Sequence, residues 1–255
     1  MTVARPLEIV LVGYGKMGRA LEQAAIARGH RVHRRIDPAA PERAEARIGA
    51  AAFQGVDIAL EFTNGRNAPA NVRQILDLGV PVVSGSTGWN EGLEAARAQA
   101  RDANVGFLWS PNFSLGVQVL FRLTDVAAQW LGALGFAPYL TEAHHQAKQD
   151  APSGTAKRLA EILVARTPGK ERYGVAPADV AVPADLVPVA WVRAGAIPGN
   201  HTLGWDGPGE TIEIAHVARD RAVFAEGALR AAEWLVDHPG PQTIDDMLDS
   251  MVGAH

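Results

Sequence analysis

Short apolar runs alternate with amphipathic segments from residue 7 to residue 110. Five runs predict strands, at 7–12, 32–37, 57–62, 80–84 and 105–110. Helical spacing of apolar residues follows Gly18 and recurs in 69–78 and 91–103. Strands that are apolar throughout are typical of a parallel sheet covered on both faces by helices. The pattern therefore predicts an α/β domain with a Rossmann-type, doubly wound parallel sheet.

The pattern changes beyond residue 112, where polar and glycine-rich connections separate the apolar segments. We expect helices at 119–131, 155–166, 221–237 and 244–251, and strands at 139–145, 189–193, 201–205 and 211–217. The first of these helices carries Leu120, Leu123, Ala127, Trp130 and Leu131 at helical spacing. Residues 168–188, with four prolines, are expected to form an extended connection. We predict a Rossmann domain over 1–112 and 216–255, and an α+β domain with a mixed sheet over 113–215.

Composition narrows the function classes. The 255 residues are 47% apolar and 20% charged. The net charge is −4, so there is no excess of basic residues to indicate nucleic-acid binding. The absence of cysteine excludes disulfides, zinc–thiolate sites and thiol nucleophiles. No apolar run is long enough to span a membrane and no signal peptide is visible, so we expect a cytoplasmic protein without membrane partners.

A glycine-rich motif follows the first predicted strand and opens a helix. It reads Gly13-Tyr14-Gly15-Lys16-Met17-Gly18. Such glycines allow a tight turn, close approach to a pyrophosphate and close packing of helix on strand. Asp37, 19 residues beyond Gly18, ends the next predicted strand and is expected to accept hydrogen bonds from the adenine ribose. The motif predicts a nicotinamide dinucleotide site.

The preference between the two nicotinamide cofactors stays open. Asp37 favours NADH because its charge repels a 2′-phosphate, whereas Arg34 and Arg35 can neutralise one. The second strand is unusually basic, and Pro38 follows Asp37 where a basic residue can help to discriminate the cofactors. We therefore predict use of NADH, NADPH or both.

The segment 142–156 concentrates groups that bind anions and transfer protons. His144 and His145 titrate near neutral pH, so either can act as a general acid or bind a carboxylate. Lys148 supplies a cation and a proton. Ser153 or Thr155 can cap the helix that follows, whose first amides, including that of Gly154, can hold a carboxylate.

A metal site is the alternative for this segment. Glu142 and Asp150 offer carboxylates that could complete a ligand set with a histidine. Adjacent histidines on a strand point to opposite faces and cannot easily share one ion. We expect no metal.

The segment 142–156 resembles the signature of the dihydrodipicolinate reductase family. Supporting motifs are Gly13 to Gly18, Gly85-Ser86-Thr87-Gly88, Ser110-Pro111-Asn112-Phe113-Ser114, Arg193-Ala194-Gly195, Gly199-Asn200-His201, Gly209-Glu210, residues 212–216 and residues 224–228. Ser86 and Ser110 stand where threonine and alanine are familiar in the family. The resemblance covers most of the chain.

The resemblance implies a function for the chain and a role for each motif. The family reduces a cyclic dicarboxylate imine of lysine and diaminopimelate biosynthesis with a nicotinamide cofactor, and forms homotetramers through its substrate domain. His144 would be the general acid/base and Lys148 the proton donor. Substrate would be bound by His145, Ser153, Gly154, Thr155 and Thr87. The nicotinamide end of the cofactor site would be lined by Gly85, Ser86, Thr87, Ser110, Pro111, Asn112 and Phe113.

Two other functions remain compatible with a Rossmann domain. The chain could be another two-domain dehydrogenase of amino or imino acids, although the paired histidines and the Ser153-Gly154-Thr155 motif argue against it. It could also be a module that senses NAD(P) without turnover, which has no need of His144 or Lys148.

Overall fold

The computed structural model describes residues 5–40, 42, 44, 45 and 47–253. The chain forms two compact units. Unit 1 runs up to Ser114 and resumes at Ala222, and unit 2 is Leu115–Arg221. The first boundary falls two residues later than predicted. The second falls six residues later, since the last strand of unit 2 continues to Val217. Across the described ranges, no helix is long and apolar enough to cross a membrane.

Unit 1 is built on a six-stranded sheet in which every neighbouring pair is parallel. Numbered in chain order, its strands are β1 Glu8–Val12, β2 Arg31–Ile36, β3 Ile58–Glu61, β4 Val82–Ser84, β5 Phe107–Trp109 and β11 Pro241–Gln242. Its helices are α1 Lys16–Ala27, α2 Ala68–Asp77, α3 Asn90–Ala103, α6 Ala222–Leu235 and α7 Ile244–Val252, with a 3₁₀ turn at Ala50–Phe53. The predicted Rossmann-type sheet is confirmed. The edge strand β11 was not predicted, since two residues leave no periodicity to detect.

The strand order places the loops of unit 1 that follow β1, β3, β4 and β5 at one edge. The sheet runs β11-β5-β4-β3-β1-β2: β2 is added on one side of β1, and β3 and the later strands are added on the other side. The strand order therefore changes direction between β1 and β3. Parallel strands end at the same edge of a sheet, and ligands of such sheets bind outside the carboxyl ends near the reversal. The segments that start at Gly13, Phe62, Gly85 and Ser110 therefore share this edge.

The basic second strand is explained by its position. The strand β2 lies at the edge of the sheet, so most of its side chains reach solvent. Arg31 pairs with Glu8 at 3.1 Å and Arg34 pairs with Glu45 at 3.0 Å. Charged side chains on an edge strand also discourage pairing with another chain. Strands β1 and β3 are almost entirely buried, as their apolar sequences require.

Unit 2 is a mixed sheet with two helices, as predicted. Its strands are β6 Ala137–His144, β7 Arg172–Gly174, β8 Leu186–Arg193, β9 Asn200–Gly207 and β10 Glu210–Val217, in the order β10-β9-β6-β8-β7. Strands β6, β8 and β7 are parallel, whereas β9 pairs antiparallel with both β6 and β10. The helices are α4 Leu115–Ala133 and α5 Gly154–Arg166.

One expectation for unit 2 was wrong. The segment 168–188 is not wholly extended connection, because it contains β7 and the start of β8. The apolar residues at helical spacing in α4 do not all lie on its buried face, since Leu123 and Trp130 are 49% and 69% exposed. The buried face of α4 contains the smaller or polar Thr124 and Ala128, which the apolar pattern could not single out.

Candidate active site

The glycine loop after β1 has the geometry of a dinucleotide-binding turn. Gly13 has a φ of +95°, and a Cβ there would lie 2.3 Å from the Phe62 carbonyl oxygen. A Cβ on Gly18 would lie 2.2 Å from the Gly13 oxygen, so helix and loop could not approach as closely with any side chain. Helix α1 starts at Lys16, and its N-cap Gly15 provides no side-chain cap. The positive end of α1 therefore faces open space, because a Cβ on Gly15 would meet no atom within 4 Å. These residues fit a dinucleotide pyrophosphate.

Asp37 lies at the end of β2 and holds the glycine loop. Its Oδ2 accepts a hydrogen bond from the Tyr14 amide at 2.8 Å, and its Oδ1 accepts one from the Ala39 amide at 2.9 Å. Sequence reasoning expected ribose contacts from this carboxylate but did not foresee the contact with the loop. A carboxylate can accept about four hydrogen bonds, so these two leave room for ribose hydroxyls.

A cleft of about 400 Å³ opens in unit 1 at the carboxyl edge of the sheet. It is lined by Met17, Phe62, Thr63, Asn64, Gly65, Gly85, Ser86, Thr87, Pro111, Asn112, Phe113 and Phe224. The two segments predicted to line the nicotinamide end thus share one cleft, apart from the buried Ser110, whose hydroxyl donates to the Asn112 oxygen at 2.7 Å. Residues 62–65 and Phe224 were not predicted to line the cofactor site; Phe224 belongs to a family motif, but the sequence alone assigned it no place in this cleft.

His144 is the last residue of β6 and lies among buried charged groups. The Glu142 carboxylate is fully buried, and its Oε2 lies 3.5 Å from His144 Nδ1 and 3.5 Å from His201 Nε2. Arg193 donates to Glu142 Oε1 at 2.7 Å, as does the Ser153 amide at 3.1 Å. We call Glu142, His144, His201 and Arg193 the β6 cluster. Sequence reasoning missed its connectivity, which depends on the pairing of β6 with β8 and β9.

Burial and hydrogen bonds together set the protonation states of the β6 cluster. Burial lowers the pKa of His144 from its usual 6.5 to about 4; the Glu142 charge opposes this shift, and the charges of His201, Lys148 and Arg193 add to it. Burial alone would raise the pKa of Glu142, but hydrogen bonds from His201, Ser153 and Arg193 outweigh it and hold that pKa well below its usual range. At neutral pH the cluster therefore contains a neutral His144 imidazole beside a Glu142 carboxylate.

Lys148 and His145 lie outside the β6 cluster, and each has a different partner. Lys148 Nζ lies 2.7 Å from Asp150 Oδ1, and this contact lowers the pKa of Asp150 despite some desolvation. His145 Nε2 accepts a hydrogen bond from Arg221 at 2.9 Å. His145 and Arg221 line a second cleft of about 410 Å³ in unit 2, together with Ala196, Pro198, Arg219 and Asp220. Sequence reasoning did not foresee the two arginines, which lie more than 70 residues from His145 in the chain.

The helix α5 begins directly after this segment. Ser153 is its N-cap, and the Ser153 hydroxyl accepts a hydrogen bond from the Ala156 amide at 3.1 Å. Of the two predicted caps, Ser153 is therefore correct and Thr155 is not. The Gly154 and Thr155 amides belong to the first turn, where the helix dipole favours an anion. A helix N-terminus, an ammonium group and two imidazoles thus come from one short segment of unit 2.

The metal alternative takes a different form in the structure. Among the described residues, one group of three, Glu142, His144 and His201, has ligand atoms within 4.8 Å of one another. Asp150 and His145, which the sequence offered as ligands, lie outside it because they pair with Lys148 and Arg221. The Arg193 guanidinium already neutralises Glu142, which makes an ionic and hydrogen-bonded network the simpler account.

The low pKa of His144 predicts a measurable dependence of stability on pH. The unfolded chain protonates this imidazole near pH 6.5, whereas the folded chain does so only near pH 4. The unfolded state thus binds more protons between these values, and the free energy of unfolding must fall as pH falls. Urea unfolding at pH 7 and pH 5 should show a larger loss for the wild type than for His144→Gln. Equal losses of unfolding free energy in the two proteins would contradict the low pKa of His144.

The glycine loop at the point where the strand order of a parallel sheet changes direction, together with the imidazole and ammonium groups of unit 2, defines a nicotinamide-dependent oxidoreductase of the Rossmann class. The chain belongs to the dihydrodipicolinate reductase family. Its family model for the N-terminus matches residues 7–113, and that for the C-terminus matches residues 116–248.

Individual relatives agree with this assignment. The 4-hydroxy-tetrahydrodipicolinate reductase of Christiangramia forsetii is 32% identical over 96% of this chain and 99% of its own length. That of Chromobacterium violaceum is 36% identical over 90% and 93%. The structure of dipicolinate-bound dihydrodipicolinate reductase from Paenisporosarcina sp. TG-14 covers 93% of this chain and 97% of its own, with a TM-score of 0.77 and 19% identity, which supports the fold.

Proposed function

We propose that the chain reduces 4-hydroxy-tetrahydrodipicolinate to tetrahydrodipicolinate, a step of lysine and diaminopimelate biosynthesis, with NADH or NADPH. The observation that carries the proposal is the arrangement around 144–155, which combines an ammonium group, imidazoles and a helix N-terminus. A cyclic dianion that must gain a proton requires groups of these kinds.

The residues of unit 2 have distinct proposed roles. Gly154 and Thr155 bind one substrate carboxylate through the first-turn amides of α5, and Ser153 fixes the start of that helix. His145, held by Arg221, binds the other carboxylate. Thr87, which belongs to unit 1 and follows β4, is also proposed to bind substrate.

Proton supply falls to Lys148. When bound, the nicotinamide cofactor supplies the hydride, which builds negative charge on the conjugated imine. The Lys148 ammonium neutralises this charge by giving up a proton, and Asp150 keeps the amine oriented. His144 is neutral at pH 7, so it acts through a hydrogen bond to the substrate rather than as an imidazolium acid.

Turnover tests the proposal directly. The purified chain should oxidise NADH or NADPH when dihydrodipicolinate synthase generates the substrate in the cuvette, and should not turn over a panel of amino acids with NAD⁺ or NADP⁺. Oxidation of an amino acid at a comparable rate would favour an amino-acid dehydrogenase. Cofactor binding without turnover of either substrate would favour a sensor.

Asp37 is proposed to favour NADH over NADPH. Its carboxylate would accept hydrogen bonds from the ribose and repel a 2′-phosphate, while Arg34 and Arg35 allow some use of NADPH. Asp37→Ala should therefore raise KM for NADH more than for NADPH. Asp37→Asn removes the charge but can still accept a hydrogen bond from the Tyr14 amide. This variant therefore distinguishes the effect of the charge from the effect of holding the glycine loop. Equal effects of Asp37→Ala on both cofactors would remove Asp37 from the ribose site.

Assembly as a homotetramer through unit 2 is also proposed. Helix α4 and the residue after it leave a stripe of apolar side chains exposed: Val119, Leu123, Val126, Trp130 and Leu134, each at least 45% exposed. Contiguous exposed apolar surface of this kind marks contact with another protein. Light scattering coupled to size exclusion should give four times the chain mass of 27.1 kDa. A single-chain mass would contradict the proposal.

A further inference from the structure

The Glu61 carboxylate is buried in unit 1 without a cationic partner. Its side chain is fully buried at the end of β3, and no Lys, Arg or His of the described ranges pairs with it. Burying a lone charge is expensive unless hydrogen bonds compensate it. Such a group therefore needs either strong local compensation or a cation supplied from elsewhere.

Neutral donors supply the local compensation. Oε1 accepts hydrogen bonds from the Thr63 amide at 3.2 Å, the Ser86 hydroxyl at 3.1 Å, the Asn71 amide group at 3.4 Å, and the Thr63 hydroxyl. Oε2 accepts one from the Ser84 hydroxyl at 2.7 Å. Five hydrogen bonds from neutral donors thus converge on this one carboxylate.

The same contacts connect Glu61 to the unit 1 cleft. Thr63 and Ser86 both line the cleft, and the Thr63 amide also donates to Ser86 Oγ at 2.9 Å. The Ser86 carbonyl accepts from the indoles of Trp89 at 2.8 Å and Trp109 at 2.7 Å. Thr63 and Ser86 therefore lie between Glu61 and the cleft, and hydrogen bonds hold both residues in place.

We propose that Glu61 is an electrostatic positioning residue for the nicotinamide end of the cofactor: a fixed negative charge behind Thr63 and Ser86 that favours the oxidised, cationic ring. This inference rests on the proposed placement of the nicotinamide in the unit 1 cleft. Loss of a hydride, two electrons and one proton, converts a neutral dihydropyridine into a pyridinium cation. A preorganised anion in a buried site stabilises the positive charge as it develops, and so assists hydride transfer.

The test compares the dissociation constants of NAD⁺ and NADH, measured by calorimetry on the full chain. Glu61→Gln removes the charge and keeps an acceptor at Oε1. It should weaken NAD⁺ at least about threefold more than NADH. ADP-ribose, which has no nicotinamide, should bind with unchanged affinity. Glu61→Asp keeps the charge, so its ratio of the NAD⁺ and NADH dissociation constants should stay close to that of the wild type.

Two controls separate charge from structure. Ser84→Ala removes a hydrogen bond to Glu61 at a buried position that does not line the cleft, so it should lower thermal stability without changing the ratio. Glu94→Gln removes an exposed carboxylate in the same unit and should change neither quantity. A ratio unchanged in Glu61→Gln, or changed equally in Ser84→Ala, would overturn the inference. Failure of the wild type to bind either nucleotide would instead overturn the proposed function.

Discussion

Replacing Lys148 by alanine is expected to lower kcat by roughly two orders of magnitude or more, the usual contribution of a general acid. The expected loss follows from the state of its neighbours. His144 is neutral at pH 7 because its pKa is about 4, so we assign the donated proton to the ammonium of Lys148 rather than to His144. The coupled assay with synthase-generated substrate measures the effect. Affinity for NADH, which we place in unit 1, should change little.

Lys157 provides the matched control. It is an exposed lysine on α5, nine residues along the chain, and no role in binding or catalysis is assigned to it. Lys157→Ala should keep wild-type kcat and KM. If Lys148→Ala turned over at a near-wild-type rate, the proton would have to come from another group and the catalytic assignment would be wrong.

Replacing His144 by alanine is the second change expected to lower kcat by roughly two orders of magnitude, the usual effect of removing a preorganised hydrogen-bond donor. The imidazole is buried against the Glu142 carboxylate, and a substitution removes a polar group aligned by that carboxylate. The two residues should differ in their pH dependence. An essential neutral imidazole gives a rate that is lost as pH falls toward about 4, and an essential ammonium gives a rate that is lost at high pH.

A second substitution distinguishes chemistry from folding at this position. His144→Gln keeps a hydrogen-bonding side chain in the β6 cluster, and it should retain cofactor affinity and most of the thermal stability. We expect its kcat to remain far below that of the wild type. The control substitution His33→Gln, on the edge strand β2, should leave kcat close to the wild-type value. Near-wild-type turnover of both His144 variants would exclude a role for the imidazole.

The features predicted from sequence were those encoded by nearby residues. The glycine loop, the cap at Ser153 and the parallel strands of unit 1 follow from local spacing and local hydrogen bonding, so a single segment reveals each of them. The positions of the cleft-lining loops follow nearly as directly, because parallel strands end at one edge.

The groups that set charge and orientation could not be predicted this way. His201 and Arg193 reach Glu142 only because β9 and β8 flank β6. Arg221 reaches His145 from the end of unit 2. Glu61 follows an apolar run and looks like an ordinary polar strand end until the neighbouring strand places Ser84 beside it. Such partners are distant in sequence and carry no motif.

The central claim is that the segment from His144 to Thr155 binds a cyclic dicarboxylate. Calorimetric titration with dipicolinate, a planar dianion, in the presence of saturating NADH tests it most directly. We predict one binding site per chain, with affinity at least about tenfold lower in Lys148→Ala and in His145→Ala, and unchanged in Lys157→Ala. Equal affinity in all four proteins would contradict the account.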